Sequence, residues 1–106
     1  MKVSVIHAAF GDTPHVVAFV DVPDGTDDMN AMEYAYRWTN NVMGSWSRKE
    51  KFFEDGSENG DYNENVTVMA PLHEGGMGLR STSMGDQMLV GTKKYEVAMF
   101  GFEEIA

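Results

Sequence analysis

The chain contains no cysteine, so disulfides, thiolate metal sites and a cysteine nucleophile are excluded together. Positive charge is scarce. Eight Lys and Arg stand against seventeen Asp and Glu, a formal charge of −9. A surface of that sign repels phosphate backbones and anionic lipid, which disfavours direct nucleic-acid or membrane binding. A basic protein would instead be attracted and steered. Long apolar runs are missing too. The opening MKVSVIHAAFGDTPHVVAFVD is split by Gly11, Asp12, Pro14 and His15. It offers neither the continuous apolar core of a secretion signal nor the roughly 20 apolar residues of a membrane helix. A soluble intracellular protein is the expectation. Nucleophile elbows and P-loops are absent, and His7, His15 and His73 share no metal-ligand spacing. No catalysis and no cofactor are expected.

What is present suits one small α+β domain over residues 1–106, with 42% apolar residues to build a core. KVSVIHAAF at residues 2–10 and HVVAFVDV at 15–22 read as strands around the turn Gly11–Pro14, a first hairpin. Thr26, Asp27 and Asp28 are candidate helix caps. Ala31, Ala35, Trp38 and Val42 recur on one helical face, predicting a helix over 29–43 widened by Met32 and Met43 and stopped by Gly44. Residues 45–65 read as a long irregular segment, with Trp46, Phe52 and Phe53 docked on the core and 54–64 in water. Strands follow near 66–70 and 86–90. Tyr95–Met99 returns after a turn at 91–94, and Phe100, Phe102 and Ile105 pack on the sheet. The predicted architecture is an antiparallel-rich sheet of about four to five strands with one helix on one face.

Two acidic runs without a basic residue stand out. Residues 21–33 hold Asp21, Asp24, Asp27, Asp28 and Glu33, and EDGSENGDYNE at 54–64 holds Glu54, Asp55, Glu58, Asp61 and Glu64. Brought to one side, they would form a negative array for a basic partner or a decoy for a phosphate-binding groove. Left apart, they solubilise. The second run also places oxygen ligands at Asp55, Ser57, Asn59 and Asp61, with Gly60 at the sixth position of a calcium-loop pattern. Its twelfth position is Val66 rather than glutamate. A turn-rich loop is the competing reading. Arg48, Lys49 and Lys51, set among Trp46, Phe52 and Phe53, read as a lid paired to the following acids, or as a weak single-strand nucleic-acid motif. Gly75–Gly78 could expose amides to an anion, though no good helix follows.

The most distinctive stretch is Arg80-Ser81-Thr82-Ser83-Met84-Gly85-Asp86. Gly85 permits an unusual backbone angle. Asp86 or Ser83 can bond nearby amides, and Arg80 can pair with Asp86 or the acidic loop. LRSTSMGDQMLV followed by KKYEVAMFGFEEI resembles the YodL-like domains of bacteriophage and conjugative-plasmid proteins associated with anti-defence functions. Gln87 stands where an apolar strand residue is usual. The resemblance spans Arg80 to Phe102, implies a mobile-element origin and carries over no catalytic residue. The expected function is an accessory protein that binds and inhibits a host protein with a basic surface. Asp24, Asp27, Asp28, Asp55, Glu58, Asp61 and Glu64 form its charged face, and Met77 and Met84 are adaptable apolar contacts. A virion or assembly component is the alternative, and a dimer is an open possibility.

Overall fold

Hydrophobic alternation and turn chemistry produce two antiparallel hairpins that share one sheet. In the computed structural model, which describes residues 1–73 and 76–105, the strands are β1 (Lys2–His7), β2 (His15–Asp21), β3 (Val66–Val68), β4 (Gln87–Val90), β5 (Lys93–Ala98) and β6 (Gly101–Ile105). All pairings are antiparallel, in the order β3-β2-β1-β4-β5-β6. The fold is α+β. The sixth strand goes beyond the four to five expected: Gly101, at φ 87, turns the chain back so that Phe102 lies opposite Val97.

The helix α1 (Asp28–Trp38) lies on one face and contacts β1, β4 and β6. Val3, Val5, Ala18, Val20, Val66, Met88 and Val90 point at it, and Ala31, Met32 and Ala35 meet them. Alanine at 31 and 35 lets the helix approach the sheet closely. Each large apolar side chain buried there contributes about 1.5–3 kcal/mol. Beyond the helix, Trp46 and Leu79 cover the rest of that face. Gln87 pairs with Ile6 on the opposite face, where its Oε1 is buried without a hydrogen-bond partner among the described residues.

The helix is shorter than the periodicity predicted. Thr39 ends it by turning both its amide and its hydroxyl to the Ala35 carbonyl, at 3.1 and 2.8 Å. The amides of Val42 and Met43 then bond the Asp61 carboxylate instead of helix carbonyls, and both side chains are exposed. Gly44 is not a helix stop. Its place is set by Asn59, whose Oδ1 would lie 2.1 Å from any added Cβ. In the irregular segment Trp46 is buried as expected, but Phe52 is exposed and Phe53 only half-buried. Phe100 projects into solvent rather than packing on the sheet. Among the described residues no helix is long and apolar enough to cross a membrane.

At the other end of α1 the cap is Asp27. Its carboxylate accepts from the Asn30 amide at 2.8 Å and from the Asn30 side chain at 2.9 Å. Asp27→Ala is expected to lower unfolding free energy by about 1 kcal/mol, and Asp27→Asn by less, in urea denaturation followed by circular dichroism.

Candidate functional site

The stretch from Arg80 to Asp86 is built around one carboxylate. Asp86 is fully buried. Its Oδ1 accepts from the amides of Ala8 and Ala9 at 2.8 and 2.9 Å and from Arg80 at 2.9 Å. Its Oδ2 accepts from Arg80 at 2.7 Å and from the Ser83 amide at 2.8 Å. Burial pushes this carboxyl up, but the guanidinium and the three amides outweigh burial and hold it well below the usual range. Gly85, at φ 96 and with its Cβ position 3.3 Å from Ala9, permits the turn that delivers Asp86 to those amides. Arg80 also reaches Asp12 at 3.0 Å and lies 4.9 Å from the Phe10 ring centre.

Beside this hub lies a cavity of about 190 Å³ lined by His7, Asp12, His15, Val17, His73, Leu79 and Arg80. His7 and His15 face each other across the first hairpin, ring centres 6.4 Å apart and nearly perpendicular. Burial pushes the His7 ring down to about 4 against the opposing pull of Asp86.

The acidic loop is solvated only in part: residues 54–58 and Glu64 are exposed as expected, while its middle turns inward. Asn59 and Asp61 are buried. Asn59 makes four hydrogen bonds, accepting from the amides of Ser45 and Asp61 and donating to the carbonyls of Ser45 and Glu50. Asp61 accepts from the Val42 and Met43 amides at 2.8 and 2.9 Å and from Arg37 at 3.2 Å. Asp55 accepts from the amide and hydroxyl of Ser57. The oxygens of the calcium-loop pattern are thus engaged separately with backbone and side chain, so they form no coordination shell. Among the described residues no three of His, Cys, Asp or Glu are placed to share a metal ion. Of the basic trio, Arg48 pairs with Glu50 at 3.4 Å, and Lys49 donates to the carbonyls of Asn63 and Val66. Gly75 of the glycine run lies outside the described residues.

The predicted charged face divides. Asp61 leaves it, being buried against Arg37. Asp24, Asp27 and Asp28 sit at the start of α1, while Asp61 is tied to Arg37, nine residues and about 14 Å further along the helix axis. Asp55 and Glu58 are exposed on the tight turn following Phe52, and Glu64 is exposed near Lys49. Asp24 pairs with the N-terminal amine at 2.7 Å and Asp21 with Lys2 at 3.9 Å. Met77 and Met84 are exposed as expected.

Different acids join the first run. Asp28 accepts from the Tyr95 hydroxyl at 2.8 Å, and Glu104 lies opposite Tyr95 on β6. Glu33, Tyr36, Val97, Met99 and Phe102 line a groove of about 270 Å³ between α1 and the β5–β6 hairpin. Met99 and Phe100 at the hairpin tip are 72% and 92% exposed. Sequence reasoning missed this groove because it read Phe100 and Phe102 as core. Only the glycine at 101 signalled a second reversal.

Asp86→Ala is expected to cost about 3–5 kcal/mol in urea denaturation, because it leaves three amides without their acceptor and Arg80 with Asp12 as its one remaining carboxylate. In the native protein this contribution is complete above the ordinary carboxylate value of 3.8 and fades as pH falls below it. His7 acts in a different window. The unfolded ring takes a proton at 6.5 and the folded one only at about 4, so stability is full above 6.5 and falls as pH drops toward 4. The loss is on the order of 3 kcal/mol, and His7→Asn, which keeps an N–H donor, should flatten that slope in denaturation series across this range.

Comparisons with protein-family models, with curated proteins and with solved structures returned no match for this chain.

Proposed function

We propose that this is an accessory protein of a bacteriophage or related mobile element. It acts in the host cytoplasm, binding and inhibiting a host protein with a basic surface, without catalysis or a cofactor. An anti-defence role of the anti-CRISPR or anti-restriction kind fits the resemblance of residues 80–102. The observation that carries the binding reading is the α1/β5–β6 groove. Phe100 and Met99 present an apolar knob beside Tyr36 and Phe102, Glu33 lines the same groove, and Asp28 and Glu104 lie further along it beside Tyr95. Apolar groups held in solvent within a charged rim are the ordinary anatomy of a protein interface. The −9 charge supplies long-range attraction to a basic partner. Asp55, Glu58 and Glu64 add to that field from a separate part of the surface.

The alternative of a virion component is favoured by one feature, the outer edge of β6, which borders no further strand among the described residues and can accept one. Mass spectrometry of purified particles separates the readings, since an inhibitor is scarce there.

Immobilised protein is expected to retain a bacterial partner at about 50 mM salt and to release it at about 500 mM, where charges are screened within a few ångströms. Phe100→Ser and the pair Glu33→Lys with Glu104→Lys should each abolish retention, while Glu58→Lys should only weaken it. Retention indifferent to both salt and Phe100→Ser counts against the proposal.

A further inference from the structure

The cavity beside Arg80 has a polarity that its own hydrogen bonds determine. Thr39 donates its hydroxyl proton to the Ala35 carbonyl, and the Thr82 hydroxyl donates to Thr39, each at 2.8 Å. Thr82 therefore has only lone pairs left for His7, 3.0 Å away, so His7 Nε2 carries the proton and donates it. The other ring nitrogen, Nδ1, has no hydrogen-bond partner among the described residues and so stands as an acceptor on a side chain only 3% exposed that lines the cavity. His15 is set by the same logic. Its Nδ1 lies 2.8 Å from the Thr13 carbonyl, which can only accept, so in the neutral ring Nε2 is the free lone pair.

The charges agree with the lone pairs. Arg80 is the one cation of the wall, and it is spent on Asp86 and Asp12. Asp12 lines the wall and Asp86 lies buried behind Arg80, so the guanidinium is already matched by two carboxylates and the cluster as a whole carries a net negative charge. Asp12 gives only Oδ2 to Arg80, so Oδ1 has no side-chain partner among the described residues. Leu79 supplies an apolar side, and Phe10, held at φ 58 and 76% exposed, places an aromatic ring against Arg80. A bulky residue at positive φ is costly and persists where its surroundings impose it.

We propose that this cavity binds a small organic cation carrying N–H donors, a guanidinium or primary ammonium head, held by His7 Nδ1, His15 Nε2 and Asp12 Oδ1. Its volume of about 190 Å³ accommodates such a head with part of its alkyl stem. A metal ion fits less well, because no three ligands among the described residues converge. An anion would meet lone pairs and carboxylate. The site is independent of the acidic groove, so it stands or falls separately from the partner reading.

The test is a titration of histidine-ring resonances in the folded protein at pH 8 with methylguanidinium, n-butylammonium, tetramethylammonium and zinc chlorides at matched ionic strength. Methylguanidinium or butylammonium should shift the His7 and His15 signals saturably, with a Kd on the order of millimolar. Asp12→Asn and the surface substitution His15→Phe should each weaken binding at least about fivefold, with thermal melts confirming that both variants remain folded. Shifts that grow linearly with concentration, equal shifts with tetramethylammonium, or binding unaltered in both variants would overturn the proposal. So would tight zinc binding with the organic cations inert.

Discussion

Asp86 joins three stretches of chain that are distant in sequence or direction. Its carboxylate holds the end of β1 through Ala8 and Ala9, the motif loop through Ser83 and Arg80, and the entry to β4 by its own position. A buried carboxylate with five hydrogen bonds has little reason to move, because each broken bond would leave a charge or an amide unsatisfied in a dry setting. The placement of β4 against β1, the seating of Arg80 and the walls of the histidine cavity all follow from it. Thr82, two residues after Arg80, extends the same fixation to His7 and to the C-terminal end of α1.

Between Thr39 and Asp86 the described residues form one short strand, yet they are tightly organised. Side-chain amides and carboxylates do there what ladder hydrogen bonds do elsewhere. Asn41 accepts from the Trp46 amide and donates to the Leu79 carbonyl, and the Ser47 hydroxyl accepts from the Leu79 amide. Asn59 and Asp61 do the same for residues 42–50. Polar composition in this segment therefore means internal bonding as well as contact with water. Two of the side chains that made the loop look like an ion site are its internal fasteners.

That outcome changes which charges are available to a partner. Asp12, Asp61 and Asp86 are paired with arginines, and Asp24 and Asp21 meet the N-terminal amine and Lys2. The carboxylates left beside exposed apolar surface are those near α1 and the β5–β6 hairpin, where Glu33 and Glu104 accompany Asp28. Of the acids counted from the sequence, Asp61 is withdrawn from solvent by its burial against Arg37. The proposed binding face therefore rests on acids chosen by what each side chain already holds.

The sequence alone carried several features governed by near neighbours, though not the tight β5–β6 reversal at Gly101. Alternation set both expected hairpins, the Pro23–Asp28 stretch set the helix start while leaving Thr26, Asp27 and Asp28 open as its cap, and Arg80 could find Asp86 because six residues and Gly85 keep them close. The loop from Arg80 to Asp86 and the strands β4 and β5 after it were legible for the same reason, being contiguous in the chain. What lay beyond reach depended on partners remote in the chain. Val42 and Met43 continue the helical pattern, but the Asp61 carboxylate eighteen or nineteen residues away takes their amides. The tautomer of His7 depends on a hydroxyl relay through Thr82 and Thr39 that no local pattern encodes. A carboxylate or an imidazole has the same letter whether it faces water or an amide. Only the tertiary structure decides which, because that choice rests on who else is buried beside it.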